Sequence, residues 1–305
     1  MNMVLRALFQ IGLLLLLPPL LLGVTNRVKS LFAGRQGPPL LQLYSDLWKL
    51  LRKGAVYSRT TTWVFRAGPV VGLASVLTAG TMLPVAGQPA LLAFPGDFVL
   101  FAYLLALARF ATALAALDTG SSFEGMGAAR EVSFSSMAEP ALFLVLVVMA
   151  RATGSLSLSG MLGPALAPAW SAAAPALLLS AIALFVVALA ENSRIPVDDP
   201  NTHLELTMIH EVMVLDHSGP DLAFILYGAA VKLFLFGALL VRLVADVSVP
   251  GLWAAEATFV LELVGFAILV GIVESVMARL RLTRVPQMLV GASVLSVFAL
   301  VLLLR

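Results

Sequence analysis

The sequence contains no cysteine, and this absence excludes several kinds of site from the chain. Cysteine thiolates hold iron–sulfur clusters and many structural zinc ions, and paired cysteines form disulfides. We therefore expect no cofactor in this chain. Any metal redox centre that works with it must lie in a partner subunit.

Charged side chains are also scarce. They make up 12% of the 305 residues, whereas 60% of the residues are hydrophobic. An average soluble domain carries roughly 25% charged residues, so this chain has more apolar surface than a soluble core can bury. The basic pI of about 9.1 comes from cations that lie between hydrophobic runs, so nucleic acid is not an expected partner.

Long apolar runs account for most of the chain. A helix needs about 20 mainly apolar residues to cross the hydrocarbon core of a bilayer. The runs are continuous, which disfavours a strand-built barrel, whose strands alternate. The sequence therefore predicts an all-α, polytopic membrane protein that forms a single membrane domain over residues 1–305. We count about eight spans, near residues 4–24, 63–83, 96–117, 134–150, 175–190, 222–244, 254–277 and 285–304.

The basic residues predict the orientation of these spans. The loop at residues 25–62 contains seven of them, more than any other loop. Because basic loops stay in the cytoplasm, we expect this loop inside, together with the loops at 118–133, 191–221 and 278–284. Within the first loop, leucines and Trp48 alternate with charged residues over 40–53, which indicates an amphipathic helix on the membrane surface.

The loop after the fifth run is unusually rich in acidic residues. Residues 190–206 read A-E-N-S-R-I-P-V-D-D-P-N-T-H-L-E-L, and residues 216–221 read D-H-S-G-P-D. A mere connector does not need so many carboxylates. The loop is therefore either a functional surface, for a protein partner or for protons, or a solvated connector.

Several motifs resemble one family, the subunit that joins the hydrophilic and membrane arms of respiratory complex I, its subunit 1. The strongest is A-E-x-x-R-x-P-x-D at 190–198, followed by E-L at 205–206. Further matches are R-x-G-P at 35–38, D-x-x-K at 46–49 and G-A-x-R at 127–130, and Glu139 stands at the family's Y-E glutamate. The resemblance covers nearly the whole chain.

The closer resemblance is to the branch found in group 4 membrane-bound nickel–iron hydrogenases, which includes formate hydrogenlyase and hydrogenase-4. The strings N-S-R-I-P-V-D-D-P at 192–200 and L-E-L-T-M-I-H-E at 204–211 look like the formate hydrogenlyase version. The quinone-reducing branch has glutamates where Asn201 and His203 stand here. This resemblance implies a non-catalytic subunit of the bacterial or archaeal cell inner membrane.

Such a subunit would anchor a soluble arm and couple its redox chemistry to proton or ion translocation. The implied partners are a hydrogenase-like large subunit and iron–sulfur subunits, docked on the four inner loops, and antiporter-like membrane subunits. Two alternatives stay open, namely a quinone-binding complex I-type NADH dehydrogenase subunit and an independent secondary transporter. No internal repeat of the transporter kind is visible.

The resemblance and the intramembrane charges together suggest two groups of site residues. The first group would carry protons: Glu139, Glu191, Asp198, Asp199, Glu205, Lys232, Glu262 and Glu274. The second group would contact partner subunits: Arg35, Asp46, Lys49, Arg130, Arg194, His203, His210 and Glu211.

Some of these residues have other interpretations. Glu191 and Arg194 have the i,i+3 spacing of an ordinary ion pair on a helix. Another interpretation is a solvated acidic face formed by Asp198, Asp199 and Glu205. His203, His210 and His217 recur every seven residues, which allows a metal site, although no H-E-x-x-H motif is present.

Two further charges suggest a buried pair. Counting residues from the ends of their runs places Lys232 and Glu262 at similar depth on neighbouring antiparallel helices. We therefore expect an ion pair between them, which is either structural or part of a proton path.

Overall fold

A computed structural model describes residues 3–198, 208–245 and 251–304. Within these ranges the chain is helical and contains no strand. Eight of the helices are long and apolar enough to cross a membrane, so the predicted all-α polytopic fold is confirmed. The helices are α1 (Met3–Phe32), α2 (Gln42–Leu51), α3 (Trp63–Thr81), α4 (Asp97–Asp118), α5 (Ser122–Thr153), α6 (Leu158–Met161), α7 (Leu166–Glu191), α8 (Gly219–Val244), α9 (Leu252–Val276) and α10 (Val285–Leu303), with a 3₁₀ turn at Glu211–Val214.

Three predicted boundaries are wrong. The first span was expected to end near residue 24, but α1 continues to Phe32. Residues 118–133 were expected to be a loop, but α5 already begins at Ser122; the helix formers at residues 128–131 (Ala-Ala-Arg-Glu) outweigh the two glycines before them. The fifth span was expected to begin at Pro175, but α7 begins at Leu166 and contains a kink at Ala173. Pro175 explains the kink, since proline removes a helical hydrogen bond and clashes with the preceding turn.

The loops lie on two faces of the bundle. On one face, which we call the basic face, Thr62 N–H donates to Asp118 Oδ2 (2.6 Å) and Leu280 N–H donates to the carbonyl of Pro196 (2.9 Å). On the opposite face, Gly96 N–H donates to the carbonyl of Leu156 (2.8 Å). The basic face therefore gathers the four loops whose cations predict a cytoplasmic position.

The short helix α2 lies on the basic face. None of its residues is buried, and Trp48 and Lys49 are exposed. The guanidinium of Arg52 sits 4.3 Å from the centre of the Trp48 ring, a cation–π contact. The amphipathic helix predicted over residues 40–53 is thus confirmed, with bounds of 42–51.

A tyrosine hydroxyl replaces one of the two hydrogen bonds that prolines remove from α1. Pro18 and Pro19 have no N–H to donate, so Leu14 and Leu15 carbonyls lose their helical partners. The Tyr227 hydroxyl of α8 donates to the Leu15 carbonyl at 2.8 Å. This bond ties α8 to α1 at the point where the α1 backbone is weakest.

Candidate functional site

Helix α7 ends inside the membrane layer. Its last residue, Glu191, is bonded to Arg109 of α4 and lies 3.2 Å from the Lys232 ammonium of α8. Arg109 and Lys232 are each about 18 Å from the end of their helix on the opposite face, at 1.5 Å per residue. A hydrocarbon core is about 30 Å thick, so Glu191 lies within it, nearer the basic face.

Four charged side chains form a row at this depth. Lys232 pairs with Glu191, Glu191 pairs with Arg109, and Arg109 Nη2 donates to Glu139 Oε1 of α5 at 2.8 Å. The side chains of Glu191, Arg109 and Lys232 are 3%, 9% and 15% exposed. Alternating signs offset the cost of burying charge at this depth, which an isolated ion could not bear.

A cavity opens beside the row. It has an empty volume of about 670 Å³ and is enclosed by α3, α4, α8 and the loop after α7. Its polar lining includes Glu191, Arg109, Lys232, Glu131 and His210, and the remainder is largely apolar. The irregular backbone after Glu191 is tolerated at membrane depth because it lies against protein and this cavity.

Arg194 and Asp198 continue the loop, and each faces a different group of charges. Arg194 Nη1 lies 3.4 Å from Glu274 Oε1 of α9, and Lys29 Nζ of α1 lies 2.9 Å from Glu274 Oε2. Asp198 Oδ1 accepts from Arg279 Nη2 at 2.9 Å. The three charged residues of the A-E-x-x-R-x-P-x-D motif are therefore all internal, with Glu191 and Arg194 each 7% and Asp198 2% exposed.

Asp198 also organises the loop that returns to α8. Its Oδ2 accepts the N–H groups of Ile209 (3.2 Å) and His210 (3.1 Å). Arg130 of α5 reaches the same stretch and donates from Nη1 to the Met208 carbonyl at 2.9 Å. These bonds hold His210 at the edge of the cavity.

Both described histidines are neutral at physiological pH. Burial, and then the Lys232 ammonium, lower the pKa of His210 from 6.5 to about 4, against the opposing effect of Asp198. Burial alone lowers the pKa of His217 to about 4. The His217 ring stacks on Phe65, with 3.9 Å between ring centres and 8° between planes. Packing is therefore the observed use of His217.

The structure corrects several of the sequence interpretations. Glu191 and Arg194 do not form an i,i+3 pair, because each has its own partners on other helices. Arg194 is 7% exposed and lies against Glu274 inside the bundle, and its role in docking a partner stays a prediction. Asp198 is also buried, which excludes the solvated acidic face for that residue.

The expected pair between Lys232 and Glu262 is also wrong, because Lys232 pairs with Glu191 instead. A Cβ at Gly237 of α8 would lie 2.7 Å from the Phe266 ring of α9, which shows where these antiparallel helices touch. That register places Lys232 and Glu262 about 14 Å apart along the helices. Glu262 instead lines a second cavity on the opposite face, of about 1660 Å³, together with Arg242.

The remaining predicted residues divide into two groups. Arg35, Asp46, Lys49 and Glu211 lie on the basic face, outside the buried clusters, and Lys49 also lies 3.6 Å from Asp46. Asp199, His203 and Glu205 fall outside the described residues. Within the described ranges, no three histidine or acidic side chains are placed to share a metal ion.

Two residues of the row or its cavity were not assigned to a site from the sequence, although Arg109 was recognised as an ionisable residue within a span. Arg109 bonds two carboxylates, and Glu131 lines the cavity with them. The available signal for Arg109 was an arginine in the middle of an apolar run, since such a residue faces the bundle interior and pairs there. Glu131 gave no such signal, because it was placed in a loop.

Comparison with known proteins places the chain in a family. The model of the NADH dehydrogenase family matches residues 5–304. The chain is 32% identical to hydrogenase-4 component C of Escherichia coli, over 91% of this chain and 88% of that protein. It is also 32% identical to formate hydrogenlyase subunit 4 of the same organism, over 93% of each chain.

Two more distant relatives agree with this placement. An NADH-quinone oxidoreductase subunit of Anaplasma phagocytophilum is 27% identical, over 73% of this chain and 70% of that protein. The fold matches a chain in the solved structure of an archaeal respiratory complex, the membrane-bound sulfane sulfur reductase. The TM-score is 0.84 at 20% identity, and the match covers 98% of this chain and 99% of the other. The chain therefore belongs to the NADH dehydrogenase family, as a membrane subunit of the complex I subunit 1 type.

Proposed function

We propose that the chain anchors the soluble nickel–iron and iron–sulfur subunits of a hydrogenase-like oxidoreductase in a bacterial or archaeal inner membrane, and couples their electron transfer to proton movement. Full-length similarity to a hydrogenase-4 component and a formate hydrogenlyase subunit supports this assignment. Cofactors belong to the partners, since this chain has no cysteine to ligate an iron–sulfur cluster.

The observation that carries the coupling half of the proposal is the loop after α7. Within eight residues, Glu191, Arg194 and Asp198 each join a separate ionic group on other helices. A change in charge or position at the surface of this loop therefore reaches Glu191, which sits in the membrane beside a cavity. Such a shift changes the distances from the Glu191 carboxylate to Arg109 and Lys232, and the proton affinity of a carboxylate depends on the charges around it.

The basic face provides the docking half of the proposal. It gathers Arg35, helix α2 and Glu211 on one side of the membrane, next to the loop after α7. A soluble subunit bound there lies directly over the buried ionic groups. Exposed cations such as Lys49, whose side chain is 66% exposed, fit acidic groups on such a partner.

The coupling is tested by Glu191→Gln in the purified complex, reconstituted in vesicles. We expect electron transfer to an artificial acceptor to persist while the number of protons moved per electron falls, since glutamine keeps the size but not the proton. An unchanged proton-to-electron ratio would overturn the coupling role.

The docking is tested by charge reversal on α2 and on the turn that precedes it. Lys49→Glu with Arg35→Glu should release the soluble subunits in a pull-down from detergent, while Arg151→Glu, at the exposed opposite-face end of α5, should retain them. Equal recovery with both variants, at equal membrane levels, would show that α2 is not part of the docking surface.

A further inference from the structure

A second cavity opens on the face opposite to the basic face. It has a volume of about 1660 Å³ and is enclosed by the start of α1, the loops at 84–89 and 159–164, the end of α8 and the first half of α9. Apolar walls alternate with polar side chains, which are Arg6, Gln88, Ser159, Arg242, Thr258 and Glu262. This opposite-face cavity therefore offers hydrogen-bonding groups from its rim to its floor.

The floor of the opposite-face cavity lies at hydrocarbon depth. Trp253, at the start of α9, is 69% exposed and contacts Phe9 of α1 edge to face, with 6.0 Å between ring centres. Exposed tryptophans at the ends of spanning helices mark the level of the lipid headgroups. Arg6 lies one turn outward from Phe9, at the rim. Glu262 lies nine residues beyond Trp253 on α9, about 14 Å deeper, so the floor is below the headgroup layer.

Two opposite charges lie level with each other at this floor. Gly237 of α8 packs against Phe266 of α9. Arg242 lies five residues beyond that contact and Glu262 four residues before it, both toward the opposite face, so their levels differ by about 2 Å. Arg242 is 6% exposed and donates from Nη2 to the Leu162 carbonyl at 2.9 Å. Charged side chains at such depth face protein or a water-filled cavity, and cavities that stay dry are apolar, so this polar cavity holds water.

An apolar layer separates this water from the charged row. The contact between α8 and α9 places Glu262 about 14 Å from Lys232 along the helices. Phe236 and Leu239 of α8 and Leu263 of α9 lie between these two levels, and each is 0% exposed. A layer of this kind blocks proton leak at rest. Glu262 stands at its outer edge, where it can take a proton that crosses from the row.

We propose that the opposite-face cavity is a water-filled proton outlet within this chain, and that Glu262 passes protons from the charged row to its water. The proton binds the Glu262 carboxylate, and the resulting carboxylic acid gives it to a water molecule, which restores the carboxylate. Within the described ranges, Arg242 of α8 and Arg6 of α1 are the other charged side chains that line the cavity, and Arg242 offsets the charge of Glu262 at the floor. This inference rests on the proposed coupling and adds the side on which the protons leave.

Thiol labelling tests whether water reaches the floor, because the chain has no cysteine of its own. Glu262→Cys and Thr258→Cys are made separately in the intact complex, and a charged, membrane-impermeant thiol reagent is added to one side of sealed membranes at a time. Leu261→Cys is the matched control, since Leu261 adjoins Glu262 at the same depth but is 70% exposed on the surface of the bundle. Lys49→Cys on the exposed helix α2 reports which side is the basic face.

We expect Glu262→Cys and Thr258→Cys to react from the side opposite to the one that labels Lys49→Cys. Their rates should exceed that of Leu261→Cys at least about ten-fold, because the reactive thiolate forms in water and not in lipid. Labelling no faster than that of Leu261→Cys, or labelling from the basic-face side, would overturn the water-filled outlet.

Proton release by the reconstituted complex tests the role of Glu262. In Glu262→Gln, the number of protons released on the opposite face per electron should fall several-fold while electron transfer to an artificial acceptor persists. Glu262→Asp keeps a carboxylate and should restore the release. An unchanged proton-to-electron ratio in Glu262→Gln would overturn the outlet role. A wild-type complex that moves no protons would overturn the proposed coupling and the outlet role together, whereas the labelling rates would still decide whether the cavity is open to water.

Discussion

The ion pair between Lys232 and Glu191 allows a quantitative prediction. Lys232 has Glu191 as its ion-pair partner within the described residues, whereas Glu191 also holds Arg109. Lys232→Met and Glu191→Gln each leave a buried charge with less compensation. The double variant removes both charges and leaves Arg109 paired with Glu139. We therefore expect the double variant to be less damaged than the sum of the single variants.

The size of the effect follows from the geometry. Two unit charges 3.2 Å apart attract by about 5 kcal/mol at an effective dielectric constant of about 20. Breaking a buried pair from one side typically costs about 3–5 kcal/mol. We expect a coupling energy of about 3 kcal/mol between the two substitutions, because the 15% exposure of the Lys232 side chain leaves some water access.

The assay is unfolding of the purified chain in detergent, titrated with a denaturing detergent, for the wild type, both single variants and the double variant. The matched control is the pair Lys232→Met and Glu262→Gln. Since these two residues line different cavities, their effects on the free energy of unfolding should add within about 0.5 kcal/mol. Additive effects at Lys232 and Glu191, or strong coupling in the control pair, would refute the assigned pairing.

Three further outcomes are expected. In the wild type, the pKa of His217 is about 4 in the folded chain and about 6.5 in the unfolded chain, so the unfolded chain binds a proton first as pH falls and stability is lost between about pH 6.5 and 4. His217→Phe keeps the stack on Phe65 and removes the titrating group, so it should reduce this loss. Unfolding midpoints at several pH values measure the difference. Tyr227→Phe removes the bond to the Leu15 carbonyl and should lower stability by about 1–2 kcal/mol in thermal unfolding. Asp198→Ala should cost about 3–5 kcal/mol and expose residues 208–214 to protease in limited digestion, whereas unchanged cleavage there would show that Asp198 does not order them.

The membrane spans and their alternation could be predicted from the sequence because both depend on local properties. A continuous run of about 20 apolar residues forms a transmembrane helix in a bilayer, whichever helices lie beside it, because a helix satisfies its own backbone hydrogen bonds. Leucines alternating with charges around Trp48 likewise predict a surface helix without reference to the rest of the chain. These features are the ones that the structure confirms.

The partners of the buried charges could not be predicted in the same way. Counting residues from the helix ends placed Lys232 and Glu262 at the same depth. The relative depth of residues on two helices, however, depends on which residues pack against each other. Here the contact between Gly237 and Phe266 sets the register, and it shifts the two charges apart. A motif shows which charged residues occur together in sequence, but not which helix supplies the counterion of each.

The depth of Glu191 was hidden for a related reason. The fifth run, at residues 175–190, is the shortest of the eight apolar runs, and an acidic loop follows it. From the sequence we assigned it as a span that ends at the membrane surface, with Glu191 in the loop. The structure shows that α7 is long and kinked at Ala173. It ends within the hydrocarbon layer, nearer the basic face, where Glu191 contacts Arg109 and Lys232. Arg109 and Lys232 are 82 and 41 positions away from Glu191 in the sequence, so no local pattern indicates these contacts.

The most direct test of the coupling role is a redox-induced infrared difference spectrum of the reconstituted complex with isotopically labelled glutamate. If reduction of the soluble arm changes the protonation of Glu191, the wild type should show a labelled band of a protonated carboxylic acid that appears or disappears with reduction. Glu191→Gln should remove this band, and Glu262→Gln, on the opposite face, should retain it. The same band in the Glu191→Gln variant, with proton movement unchanged, would contradict the role of Glu191.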